Sequence, residues 1–132
     1  MKPIALTAAK FEETVGKDGI VLLDFWAPWC APCRAFGPIF EKVAEAHPEV
    51  TCAKINTEEE QDLAAALGIS SIPTLMAFRD GVLVFARPGM VPAAALEELI
   101  QKVGELDMDA VRRQVAEETA KHKQTAHAAP AV

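Results

Sequence analysis

The stretch Ile20-Val21-Leu22-Leu23-Asp24-Phe25-Trp26 is apolar at every position except Asp24. A half-exposed strand would alternate apolar and polar residues. A run this dense belongs to a strand covered on both faces, the pattern of a central strand in a parallel or mixed sheet. The rest of the chain must therefore supply neighbouring strands and helices to cover two faces. That requirement points to an α/β domain.

The remaining segments fit that demand. Pro3 to Leu6 reads as a short edge strand, and Thr7 as the N-cap of a helix with Phe11 and Val15 on one face, stopped at Gly16. Cys33 to about Ala46 reads as a helix with Phe36, Phe40 and Val43 at core spacing, kinked at Pro38. Val50 to Ile55 makes a further strand, and Glu58 to Leu67 a helix ended by Gly68, its acidic triplet Glu58-Glu59-Glu60 in the first turn. Thr74–Phe78 and Val82–Ala86 flank Asp80-Gly81, a hairpin signal. Pro92 then suits the first turn of a helix carrying Leu96, Leu99, Ile100 and Val103, closed by Gly104. The expected order is β-α-β-α-β-α-β-β-α, a mixed sheet that ends in an antiparallel hairpin. Asp107 caps one extra C-terminal helix with a thin stripe of Met108, Val111 and Val115, and from Gln124 periodicity stops. The expected division is a domain over 1–104, an additional helix over 105–123 and a disordered tail over 124–132.

At 132 residues the chain is long enough to bury a full core of its own. The net charge of −6 and the lack of any basic cluster beyond Arg112-Arg113 argue against a nucleic-acid partner. Charges at Lys10, Glu12 and Glu13 interrupt the N-terminal stretch before a signal-type apolar segment can form, and no run is long enough to span a bilayer. The expectation is a cytoplasmic protein with no membrane partner. Three cysteines in that setting do not suggest a structural disulfide framework.

Two of them carry the chemistry. Trp29-Cys30-Ala31-Pro32-Cys33 follows the buried strand directly and opens a helix. Thiols at i and i+3 across a helix start can close a small disulfide without moving the backbone. The first faces the free N–H groups and positive dipole end of the helix, which favour its thiolate. Cys30 is therefore the candidate nucleophile, and Cys33, one turn inside, the resolving thiol. Half of a metal site is the competing reading. A zinc site normally needs four ligands, and no second Cys-x-x-Cys and no nearby histidine supply them, so no metal is expected. Asp24 sits where an unpaired carboxylate is costly, and its pKa should rise. Cys52 reads as an inert core thiol, and His47, His122 and His127 as solvated.

Val21-Leu22-Leu23-Asp24-Phe25-Trp26-Ala27-Pro28-Trp29-Cys30-Ala31-Pro32-Cys33 resembles the active-site signature of the thioredoxin family. Ser71-Ile72-Pro73-Thr74 and Pro88-Gly89 fall where that family has its other active-site loops, and the similarity covers roughly residues 3 to 104. The resemblance implies a thioredoxin fold with an extra C-terminal helix, and reduction of protein disulfides through a redox-active Cys30–Cys33 pair. It also implies that Asp24 accepts the Cys33 proton, that Lys54 lies near Asp24 and tunes it, and that the Ile72–Pro73 bond is cis. Trp29, Ala31, Pro32, Ile72, Pro73, Pro88 and Gly89 would form the substrate-docking patch, and Trp26 would pack beneath it. No bound cofactor is implied. Electrons would come from NADPH through a thioredoxin reductase, the partners being that reductase and disulfide-containing proteins.

Two residues depart from the family pattern. Ala31 stands where the family most often has glycine, and Pro88 where it has a residue able to donate an N–H. An oxidase or isomerase would favour a more polar dipeptide between the cysteines. A thioredoxin-like interaction module using the C-terminal extension is the alternative, and it would have no need of intact Cys30, Cys33, Asp24 and Pro73.

Overall fold

A computed structural model describes residues 2–128, excepting the side chains of 122–128. The readings of His122 and His127 fall outside that description. Strand β2 (Ile20–Trp26) is central. It pairs in parallel with β3 (Thr51–Asn56) and antiparallel with β4 (Thr74–Arg79). The outer positions are taken by β1 (Ile4–Ala5), parallel to β3, and β5 (Val82–Pro88), antiparallel to β4, in the order β1-β3-β2-β4-β5.

Because side chains alternate along a strand, β2 feeds two cores. Leu22 packs with Phe36, Phe40 and Val43 of α2 (Ala31–Ala46) and with Leu96 and Ile100 of α4 (Ala93–Gly104). Val21, Leu23 and Phe25 pack on the other face with Val15 and Phe11 of α1 (Ala8–Val15) and Leu63 of α3 (Gln61–Ala66). Each fully buried large side chain contributes about 1.5–3 kcal/mol. Asp24 and Trp26 share the parity of Leu22, which directs them toward α2.

Local chemistry sets several boundaries. At the β4–β5 turn, Asp80 (φ 52°) and Gly81 (φ 83°) both take the left-handed region, as a two-residue hairpin of the I′ kind demands. Asp80 also ties this turn to the start of β2, its carboxylate accepting the Gly19 N–H at 2.7 Å. Helix α2 runs continuously through Pro38. The acidic triplet does not open α3. Glu58 and Glu59 lie in the preceding turn, where Asn56 Oδ1 accepts their N–H groups at 2.9 and 3.4 Å, and Glu60 becomes the N-cap. Asn56 competes for those donors and delays the helix.

The extra helix α5 covers Met108–Ala128, passing the expected end at residue 123. Thr125, Ala126, Ala128 and their neighbours include no glycine or proline before Pro130, and alanine favours helix. Residues 129–132 of the expected tail lie outside the described part. Among the described residues no helix is long and apolar enough to cross a membrane.

Candidate active site

After β2 the chain turns at Ala27-Pro28-Trp29, the Cys30 N–H donating to the Ala27 carbonyl at 3.2 Å, and α2 begins at Ala31. Cys30 is the N-cap. Its Sγ accepts the Cys33 N–H at 3.2 Å, so the sulfur takes the place a serine or aspartate oxygen usually holds at a helix start. Pro32, in the first turn, gives up an N–H that has no partner within the helix. Cys30 and Cys33 are joined as a disulfide with their Cα atoms 5.2 Å apart. Exposure does not separate them, at 5% and 3%. What distinguishes Cys30 is its seat at the positive end of α2.

Beside the pair, the Ile72 carbonyl oxygen is 3.8 Å from Cys30 Sγ. The Ile72–Pro73 peptide is cis, and the Pro73 carbonyl accepts the Gly89 N–H at 2.8 Å. Gly89 has φ +93°, a conformation that a side chain would strain. The two loops are thereby held together. Pro73 itself is buried, whereas Trp29, Ala31, Pro32, Pro88 and Gly89 are exposed and Ile72 is half-buried.

Asp24 is 0% exposed, and neither carboxylate oxygen has a hydrogen-bond partner. Burial pushes its pKa up to about 7, against the opposing pull of the Lys54 ammonium. Lys54 faces Asp24 across the β2–β3 ladder. Its Nζ sits 4.7 Å from the centre of the Trp26 ring, a cation–π contact that gives Trp26 a second task besides packing. Gly37 of α2 lies against that ammonium, and a Cβ there would stand 3.5 Å from Nζ, an ordinary van der Waals contact.

Three further placements lie outside what sequence reasoning found. Trp29, 64% exposed, donates its indole N–H to the Glu58 carboxylate. His47, read as solvated, is half-buried with its imidazole between Glu49 and Glu97. Lys54 and Trp26 also line a cleft with Pro3, Thr7 and Glu60. Only the run of acidic residues hinted at the first of these. Cys52 is buried, and burial pushes its thiol up to about 11, leaving it unreactive. Among the described residues no group of three or more His, Cys, Asp or Glu is arranged to hold a metal ion.

Residues 2–102 match the Thioredoxin family. The chain is 52% identical over 117 residues to "Putative thioredoxin 2" of Streptomyces coelicolor, which covers 89% of this chain and 87% of that protein. It is 43% identical over 100 residues to "Thioredoxin 1" of Synechococcus elongatus, covering 74% and 94% respectively. Among solved structures, a mutant thioredoxin from Halobacterium salinarum superposes with a TM-score of 0.73 at 35% identity, over 80% of this chain and 93% of that one.

Proposed function

This chain belongs to the thioredoxin family and is a thiol-disulfide oxidoreductase, and from that premise we propose that it works as a reductase in which Cys30 attacks and Cys33 resolves. In the dithiol form the Cys30 thiolate attacks one sulfur of a protein disulfide. A Cys30–substrate disulfide forms, and the other substrate sulfur leaves as thiolate. Cys33 then loses its proton to Asp24 and attacks Cys30 Sγ, the Cys30–Cys33 disulfide forms, the Cys30–substrate bond breaks, and the second substrate sulfur leaves as thiolate. The substrate gains two electrons and the pair loses two.

The observation that carries this reading is the Cys30 sulfur at the head of α2, accepting the Cys33 N–H at 3.2 Å. A sulfur held on a free N–H at the positive end of a helix is stabilised as thiolate, and only the thiolate is a nucleophile. Asp24, with Lys54 opposite, suits proton transfer because a group poised near 7 can both take and return a proton at neutral pH. With the Gly89 N–H and the Pro73 carbonyl already paired to each other, the Ile72 backbone is what the loop offers to an extended substrate, and Trp29, Ala31, Pro32 and Pro88 give an apolar surround.

The cycle is set in the cytoplasm, where a thioredoxin reductase drawing on NADPH returns the pair to the dithiol. The chain itself needs no bound cofactor for it. The test is trapping. Cys30→Ser abolishes turnover of a protein disulfide with reductase and NADPH, whereas Cys33→Ser accumulates a covalent adduct with substrate, seen by mass spectrometry. An adduct formed through Cys33 in the Cys30→Ser protein would reverse the roles.

A further inference from the structure

Lys54 is a half-buried cation that stands opposite Asp24 in the β2–β3 ladder. Among the described residues it nevertheless forms no ion pair, with Asp24 or with any other carboxylate. Both Asp24 oxygens are left without a hydrogen-bond partner. The ammonium lies instead 4.7 Å from the centre of the Trp26 ring. The register explains how it gets there. Trp26 is two positions beyond Asp24 on the same face of β2, which makes it the diagonal neighbour of Lys54, within reach of a long side chain. On its other side Trp26 packs against the cluster of Ala27, Cys30 and Cys33. One ring thus touches both the redox pair and the charge that acts on Asp24.

We propose that Trp26 is a positioning residue for the proton-transfer step: its ring holds the Lys54 ammonium beside Asp24 but out of ion-pair contact, which keeps the carboxyl able to take the Cys33 proton and give it back. The proposal rests on the reductase reading above. An ammonium in direct contact would fix Asp24 as a carboxylate and make it a poor acceptor. One lost to solvent would leave the carboxyl protonated and unable to accept. A ring face attracts a cation without demanding hydrogen-bond geometry, so it can hold the charge between those extremes. The other surroundings of Asp24 carry no charge. Leu75 is its partner on β4, and the buried face of α2 presents Cys33, Phe36, Gly37 and Phe40. Glu59 and Glu60 line a cleft with Lys54 and Trp26, and neither pairs with the ammonium.

Carbon-13 NMR of the Asp24 carboxyl, read in the disulfide form so that neither active-site thiol titrates, tests the placement without turnover. Trp26→Leu lets the ammonium close on Asp24, and the Asp24 midpoint falls by about one pH unit. Trp26→Phe keeps a weaker face and gives about half that fall. Lys54→Met removes the charge, so the midpoint rises, and adding Trp26→Leu to it changes nothing further. The same fall in the Lys54→Met background would assign Trp26 to burial alone. A midpoint unchanged or raised in both ring variants would likewise overturn the proposal, and Trp26→Phe decides the matter by itself if Trp26→Leu does not fold. The pH profile of the single-turnover rate with a peptide disulfide is measured on the same variants and moves with the midpoint. A shifted midpoint beside an unshifted profile removes Trp26 from proton transfer, whereas a wild type that reduces no disulfide removes the reductase reading and the proton-transfer role with it.

Discussion

A carboxylate buried with no hydrogen-bond partner is stable chiefly in its protonated form, and Asp24 has that environment. In the fold it keeps its proton up to about 7, whereas its ordinary value is 3.8. Between those two values the folded state holds the extra proton. Stability is therefore greatest below the lower value, falls as pH rises through the interval and levels above about 7. A gap of that size corresponds to about 4 kcal/mol. Asp24→Asn removes the ionisation, so the variant should gain about 2–4 kcal/mol at alkaline pH and little in acid. The same change slows turnover because an amide accepts no proton from Cys33. Urea unfolding across pH, paired with peptide-disulfide kinetics, checks both halves. A variant less stable at alkaline pH and fully active would contradict them. Asp24 could be read from the sequence because a single carboxylate inside an apolar run stands out. Lys54 became its neighbour only through the family resemblance and the strand register. Gly37 and Glu58 needed tertiary structure, since nothing local ties them to Lys54 or Trp29.

Among the elements, what was legible depended on how local the controlling forces are. β2 declared itself by its apolar density and the β4–β5 turn by Asp80-Gly81, both short-range signals. The termini of α1 and α3 were set from afar or by competition. Thr7 is the N-cap of α1 but makes no side-chain cap bond, and the Ala8 N–H goes instead to the Glu60 carboxylate at 2.8 Å, 52 positions along the chain. His47 is another long-range case. It caps α2, and its ring links Glu49 to Glu97 of α4, so the far end of the cysteine-bearing helix is tied to its neighbour. Donating a ring N–H to Glu97, and then to Glu49, raises its pKa above 6.5. For a group raised in the fold, the stabilisation is complete below the unfolded value and is lost as pH rises through the folded one. His47→Gln should therefore be less stable than wild type in mild acid, by no more than about 1 kcal/mol for so accessible a pair. The difference should vanish at alkaline pH. Because Asp24 titrates in an overlapping range, the comparison is cleanest in an Asp24→Asn background. A constant deficit at every pH would assign His47 to packing and not to its charge.

At the scale of the whole molecule the open question is what residues beyond Gly104 add. In the first turns of α5 Met108 is buried and Arg112 lies 3.8 Å from the Asp80 carboxylate, while Val115 is 43% exposed. The body closes without it. Arg79 donates to the Val103 and Gly104 carbonyls at 2.6 and 3.1 Å, so the end of α4 is satisfied from β4. None of these contacts touches Cys30, Asp24 or the Ile72-Pro73 loop. The match to the relative from Synechococcus elongatus ends after 100 residues and nearly exhausts that protein, whereas the match to the Streptomyces coelicolor relative runs to 117. We therefore take 1–104 as the working domain and α5 as a lightly docked addition. Truncation after Gly104 loses the burial of Met108 and an exposed ion pair, together about 1–2 kcal/mol. At about 4–8 °C per kcal/mol, that should lower the melting temperature by about 4–16 °C. Disulfide reductase turnover should stay within about twofold of the full chain, a barrier change of less than about 0.5 kcal/mol. Calorimetry and reductase-coupled kinetics on both lengths decide the matter. If truncation abolished turnover, or turned a stable dimer into monomers, the extension would carry function, and the interaction-module reading would replace the division made here.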